Sequence, residues 1–328
     1  MSRILVTGGA GYIGSHTVRV LGERGLEVVV LDSLVTGHRE AVPAEVPFYQ
    51  GDITEGALLE EIMTKHPFSA VVHFAALSLV GESMLRPERY FEENMGKTNR
   101  FLTKLVRLGV KQFVFSSTAA VYGNPKEVPI PEGAETRPVN PYGASKRMIE
   151  ESLHWMEQAH GLQWIALRYF NAAGAALDGS IGEDHGTETH LIPLVLKTAL
   201  GQRERILVFG TDYETPDGTC IRDYVHVLDL AEAHVAALSA LDKGIESGIF
   251  NVGTGSGYSV REVIEKAREV TGREIPVHED ARRPGDPAIL VAKVEKIREV
   301  LGWEPRLSDL ETILASAWKW HVAHPQGY

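Results

Sequence analysis

The sequence predicts an α/β fold in which a doubly wound parallel sheet is followed by a smaller C-terminal α/β domain. Three observations carry this expectation. First, the short β-branched run Ile4-Leu5-Val6-Thr7 enters a cluster of glycines at Gly8, Gly9, Gly11 and Gly14. Ser15 to Glu23 follows as a helix with Val18 and Leu21 facing inward. Second, apolar strands alternate with helices as far as Arg168, the pattern of a parallel sheet covered on both faces. Third, the alternation loosens beyond Arg168 into a glycine- and charge-rich loop at 174–189 and shorter elements. The expected division is 1–173 for the sheet domain, with later segments such as 227–253 returning to it, and 174–328 mainly for the smaller region.

Composition narrows the class. The chain has 328 residues and 44% hydrophobic content, enough for a large core in one large or two modest domains. Its 44 acidic and 33 basic residues leave a net charge of −11, which argues against nonspecific nucleic-acid binding. No apolar run approaches the roughly 20 residues needed to span a bilayer, and the first apolar run is too short and glycine-broken for a signal peptide. The single Cys220 cannot form an intramolecular disulfide and reads as an inert filler. A reducing, cytoplasmic location is expected. No cluster of Cys and His has zinc-ligand spacing, so no metal site is expected.

The opening elements read as a Rossmann-like dinucleotide-binding unit. Glycines at Gly8, Gly11 and Gly14 allow a tight turn and close approach of backbone N–H groups to a pyrophosphate, and the helix N-terminus adds partial positive charge. The phosphates are expected over Gly11, Tyr12 and Ile13. Glu27 to Leu31 is a second strand ending at Asp32, 18 residues after Gly14. An acid at that tip accepts hydrogen bonds from a ribose 2′-OH and repels a 2′-phosphate, which favours NAD over NADP.

Val46 to Tyr49 is a short third strand, and Glu55 to Lys65 a helix. Asp52 and Ile53 between them are placed to border the adenine. The run from Ala70 to Ala76 is a buried strand whose final Phe74, Ala75 and Ala76 line the cofactor. Pro87 to Leu108 reads as one long helix carrying Asn94 mid-way. Lys111 to Ser116 is the next strand, leaving Ser116, Ser117 and Thr118 at its carboxyl edge, where open α/β sheets place ligands. Strand-end hydroxyls that merely cap backbone groups are an equally good reading of Ser116 and Ser117.

Pro141 opens a helix running to about His160. Tyr142 and Lys146, four residues apart, project from one face of it. A phenol with an ordinary pKa of about 10 needs roughly 4 kcal/mol of preferential phenolate stabilisation to act at neutral pH. A lysine ammonium and an oxidised nicotinamide ring both supply stabilisation of the right sign, and the Thr118 hydroxyl can share the proton. Tyr-x-x-x-Lys alone is common on helices. After a glycine turn and a Ser-Ser-Thr strand end it points to acid–base chemistry beside a nicotinamide.

At these residues the chain resembles the extended short-chain dehydrogenase/reductase superfamily, and more closely the UDP-glucose 4-epimerases. The resemblance runs nearly end to end, through Thr7 to His16, Val80 to Ser83, Tyr142 to Lys146, Arg168 to Asn171, Arg222 to Val227 and the closing His-Pro-Gln-Gly-Tyr. It implies epimerisation at C4 of a UDP-hexose through a 4-keto intermediate, with NAD retained through each turnover. Tyr142 is then the base, with Lys146 and Thr118 as its helpers. The glycines are read as Gly8-x-x-Gly11-x-x-Gly14, the spacing of that superfamily, in preference to Gly9-x-Gly11-x-x-Gly14. Asn94, Ser116 and Tyr169 join the cofactor set by the same resemblance.

The resemblance further implies that the smaller region holds UDP through Asn171, His190, Leu191, Leu207, Phe209, Arg222, Arg283, Asp286 and Leu290. Arginine suits a diphosphate because its planar fork binds oxygen pairs. Thr118 stands where many epimerases have Ser, and Ser78 where some have Lys. His190 stands where some have Asn. Leu290 replaces a bulky Tyr that excludes an N-acetyl group at the sugar 2-position in some members, so the N-acetylated UDP-hexoses are expected as further substrates. A 4,6-dehydratase would need acids directly after Thr118, where Ala119 and Ala120 stand, and a non-catalytic NAD-sensing regulator typically lacks the Tyr-Lys pair. The resemblance also implies a homodimer through 87–108 and 142–160.

Overall fold

Seven strands build the main sheet of the computed structural model, which describes residues 3–283 and 286–328. In chain order the first six are β1 (Arg3–Thr7), β2 (Val28–Asp32), β3 (Phe48–Gln50), β4 (Phe68–His73), β5 (Gln112–Thr118) and β6 (Gln163–Tyr169). Gly248–Val252 adds the seventh, pairing in parallel with β6. The spatial order is Gly248–Val252, β6, β5, β4, β1, β2, β3, with every pair parallel. The chain leaves β1 toward one edge through β2 and β3, then returns to its other side through β4. That reversal opens a crevice at the carboxyl ends of β1 and β4, where ligands of such sheets bind.

Strand alternation divides the core between the two faces. Ile4 and Val6 of β1 pack with Val18 and Leu21 of the first helix and with Leu230 and Leu238 of the Val227–Asp242 helix. Leu5 packs oppositely with Leu59, Ile62, Phe101, Leu105, Ile149 and Leu153. Successive strand residues are thus all buried, as in β2, because helices cover both sides.

A third core unites the helices Leu191–Ala199, Val260–Thr271 and Leu310–Ala323 through Val195, Ile264 and Ile313. Two small sheets attach to it, one of two strands with Ile206–Phe209 beside Val277–Asp280, and one of three with Ile221–Arg222 between Tyr258–Ser259 and Ile289–Leu290. These carry their side chains over the crevice of the large sheet.

Two expected elements come out differently. The run 87–108 is a short helix Pro87–Tyr90, a π-helical turn Phe91–Gly96 and a helix Lys97–Arg107. The wide turn presents Asn94 inward, where its amide accepts from Leu77 N at 2.8 Å and donates to Leu77 O at 2.9 Å. The strand expected through Ala76 stops at His73, because Phe74 N and Ala75 N both turn to the single carbonyl of Thr7 and leave the ladder. By contrast, Pro141–His160 is one helix, capped by Asn140 Oδ1 accepting from Gly143 N at 2.8 Å.

Candidate active site

One cavity of about 1350 Å³ runs from the glycine turn to the smaller layer. At its cofactor end Gly8 has φ +71°, and a Cβ at Gly14 would lie 2.1 Å from Gly8 O. Gly11 N donates to Gly8 O at 3.2 Å, closing the turn under the helix that begins at Tyr12. The turn therefore leaves space for an anion only where side chains are missing.

Asp32 is buried at the tip of β2 and accepts from Ala10 N and Leu34 N, each at 2.8 Å. Burial raises its pKa while those two N–H groups oppose the rise. An ionised carboxylate has about four acceptor sites, so capacity remains for a diol. Asp52 is held by Lys97 Nζ at 2.7 Å and Thr54 N at 2.9 Å. Ile53, Phe74, Ala75 and Ala76 complete this part of the wall. This end of the cavity thus joins a turn free of side chains, at a helix N-terminus, to a buried carboxylate at a strand tip.

Beyond the sheet ends, Tyr142, Lys146, Thr118 and Tyr169 meet on the same wall. Lys146 Nζ donates to Ser116 O at 2.9 Å and lies 4.9 Å from the Phe115 ring centroid. Burial pulls the ammonium down to about 7, against the opposing charge of Glu150. Burial drives the Tyr142 phenol far above its ordinary range, the nearby Tyr169 adds to this, and a hydrogen bond with Thr118 opposes it. The ammonium is 6.0 Å from the Tyr142 ring centroid. At that distance it makes no direct hydrogen bond to the phenol and could reach it only through its field.

Two expected cofactor residues are not on the wall. Asn94 is fully buried, its amide spent on Leu77 and on Ser145 Oγ at 3.2 Å. Its place is behind the loop 77–79, because the π-helical turn rotates it there. Ser116 is likewise absent from the wall; its carbonyl holds Lys146 and its Oγ is 3.3 Å from His234 Nε2. Ser117 donates to Glu150 Oε1 at 2.5 Å, in a buried network with Arg168. Neither strand-end hydroxyl caps a backbone group, since both bind side chains.

At the far end Asn171, His190, Leu191, Leu207, Phe209, Arg222, Arg283, Asp286 and Leu290 all face the cavity. Arg222 is ion-paired with Asp286 and donates to Ile221 O at 2.8 Å. The Arg283 guanidinium carbon lies over the Phe209 ring, 4.0 Å from its centroid, a cation–π contact. Cys220 lies on this wall too, its thiol raised by burial and so kept from the thiolate form.

Sequence reasoning missed the partners of His190. Its Nδ1 is bound to Glu183 Oε1, and Glu183, His185, Glu188 and His190 gather into one group. The signal in the sequence is Glu-x-His-x-x-Glu-x-His, with carboxylates in place of thiolates.

The family model for the NAD dependent epimerase/dehydratase family matches residues 4–253. The UDP-glucose 4-epimerase of Halalkalibacterium halodurans is 56% identical over 325 residues, covering 99% of this chain and 97% of its own. A crystal structure of UDP-glucose 4-epimerase superposes with a TM-score of 0.97 at 51% identity, covering 100% of this chain and 99% of the other. The UDP-glucose 4-epimerase of Bifidobacterium longum, solved with NAD+ and UDP, gives a TM-score of 0.93 at 38% identity over 100% of both chains.

Proposed function

From the premise that this chain belongs to the NAD dependent epimerase/dehydratase family, and within it to the UDP-glucose 4-epimerases, we propose a role for each part of the cavity. The activity is NAD-dependent epimerisation at C4 of a UDP-hexose, an isomerisation. Residues 1–173, together with 227–253, hold the cofactor, and the rest of 174–328 holds UDP.

When bound, NAD supplies an acceptor that takes hydride from C4 and returns it to the other face of the ring. Tyr142 removes the proton from the 4-OH and gives it back, Thr118 relays it, and Lys146 favours the phenolate. Asp32 binds the adenosine ribose and Gly11 to Ile13 the pyrophosphate. Arg222 and Arg283 meet the UDP diphosphate, Asp286 accepts from a ribose or sugar hydroxyl, and Asn171 and Phe209 help seat the nucleotide. The hexose has to turn within the site, so the grip must fall on UDP.

The observation that carries this assignment is the meeting of Tyr142, Lys146 and Thr118 on one cavity between the glycine turn and the two arginines. Turnover of UDP-galactose by purified protein without added NAD is expected. Tyr142→Phe should keep its NAD and lose epimerisation by at least about 100-fold. Full activity in that variant would remove Tyr142 as the base.

Two further readings belong here. No helix among the described residues is long and apolar enough to cross a membrane, and one free thiol suits a reducing cytoplasm. A homodimer is supported by exposed Met84, Leu85, Phe91, Met148 and Trp155 on and beside the helices at 87–107 and 141–160.

A further inference from the structure

The loop before the Leu191–Ala199 helix brings four ligand-type side chains to a point. One oxygen or nitrogen from each of Glu183, His185, Glu188 and His190 lies within 4.8 Å of all the others. His185 Nδ1 is 3.4 Å from Glu183 Oε1 and 3.4 Å from Glu188 Oε2. The edges of a tetrahedron with metal bonds of about 2.0–2.2 Å measure roughly 3.3–3.6 Å. The His190–Glu183 contact is closer, as a direct hydrogen bond between two such ligands would be.

A second feature separates this group from an ordinary ion-pair network. His185 Nδ1 and Glu188 Oε2 are buried and face each other as an ion pair across 3.4 Å, without the geometry of a well-formed hydrogen bond. The Glu188 side chain is only 5% exposed. Buried polar atoms seldom go without a well-aligned hydrogen bond, and two that converge at this spacing leave a place for a cation between them. Glu188 is already aimed: its Oε1 accepts from Thr189 N at 2.7 Å and His190 N at 2.8 Å, which turns Oε2 inward.

We propose that Glu183, His185, Glu188 and His190 form a closed, four-ligand site for a zinc-class divalent cation. Two imidazoles select against magnesium and calcium, which take oxygen ligands. Two carboxylates balance the charge of the ion. Four protein ligands leave no open position, so the role is structural, not hydrolytic. The site ties the 174–190 loop to the start of the Leu191–Ala199 helix. It also stands against the cofactor turn, since the His185 ring meets Tyr12 edge-on at 6.4 Å and Tyr12 OH donates to Gly174 O at 2.7 Å. With Nδ1 committed to the site, His190 keeps Nε2, which has no partner among the described residues, for an anion in the cavity.

The test is metal content. Tag-free protein freed of metal by chelator and titrated with zinc chloride is expected to take up about one zinc per chain and keep it through dialysis. Glu188→Gln and His185→Asn, checked for folding by circular dichroism, should bind zinc at least about 100-fold more weakly. Cobalt(II) in the wild-type chain should give the intense visible absorption of a tetrahedral site, a readout independent of any variant. A wild-type chain that takes up no zinc, a weak octahedral cobalt spectrum, or folded variants that bind zinc as tightly as wild type would each overturn the proposal.

Discussion

Lys146 keeps only 2% of its surface exposed, and burial brings its ammonium down to about 7 from 10.5. In the NAD-free protein the folded state therefore binds fewer protons than the unfolded chain between those values. Stability from this group is fully present above 10.5 and is lost as pH falls through about 7. Lys146→Met should thus be more stable than wild type near neutral pH, with the gap closing as pH rises through that window. Urea midpoints of both proteins across the range check the sign. Leu290 acts at the same scale: on the cavity wall it offers less bulk than Tyr. Wild type is expected to turn over UDP-N-acetylgalactosamine as well as UDP-galactose. Leu290→Tyr should cut kcat/KM for the first by about 10-fold or more and spare the second. Equal losses on both substrates would show a general defect instead.

The Pro141–His160 helix shows what one element can organise. It buries Tyr142, Ser145, Lys146, Ile149, Glu150 and Leu153 along one face, so the Tyr142–Lys146 pair and the structural contacts share a stripe. Glu150 joins Arg168 of β6 at 2.6 Å and Ser117 of β5 at 2.5 Å, which fixes the helix against two strands. Both partners of that ion pair are 4% exposed. Glu150→Gln would strand the guanidinium, and about 3–5 kcal/mol of stability should be lost. Calorimetry giving a loss under about 1 kcal/mol would place the pair among weak surface bridges. This helix was legible in the sequence because its signals are local: Asn140 caps it, Pro141 suits its first turn and Gly161 ends it at φ +69°. The 87–107 segment was not, since its wide turn depends on Asn94 docking with Leu77, 17 residues away.

At the scale of the molecule, Met84, Leu85, Phe91, Met148 and Trp155 are exposed on and beside the helices that follow β4 and β5. Trp155 is 63% exposed and Leu85 82%, which is unusual for side chains of that size. Light scattering at micromolar concentration should give a dimer mass for wild type and a monomer for Trp155→Glu. A monomeric wild type would remove the interface.

The parallel sheet, its glycine turn, the acid at Asp32 and the Tyr142–Lys146 pair were determined by the sequence alone. Each is written in residues a few positions apart, where periodicity and turn chemistry act directly. Only the tertiary structure decided that Asn94 and Ser116 stand behind the cavity wall, that Arg222 meets Asp286, and that two carboxylates and two imidazoles converge beside Tyr12. Those outcomes depend on how distant segments pack, because burial and partner choice belong to the assembled core and not to any stretch of chain.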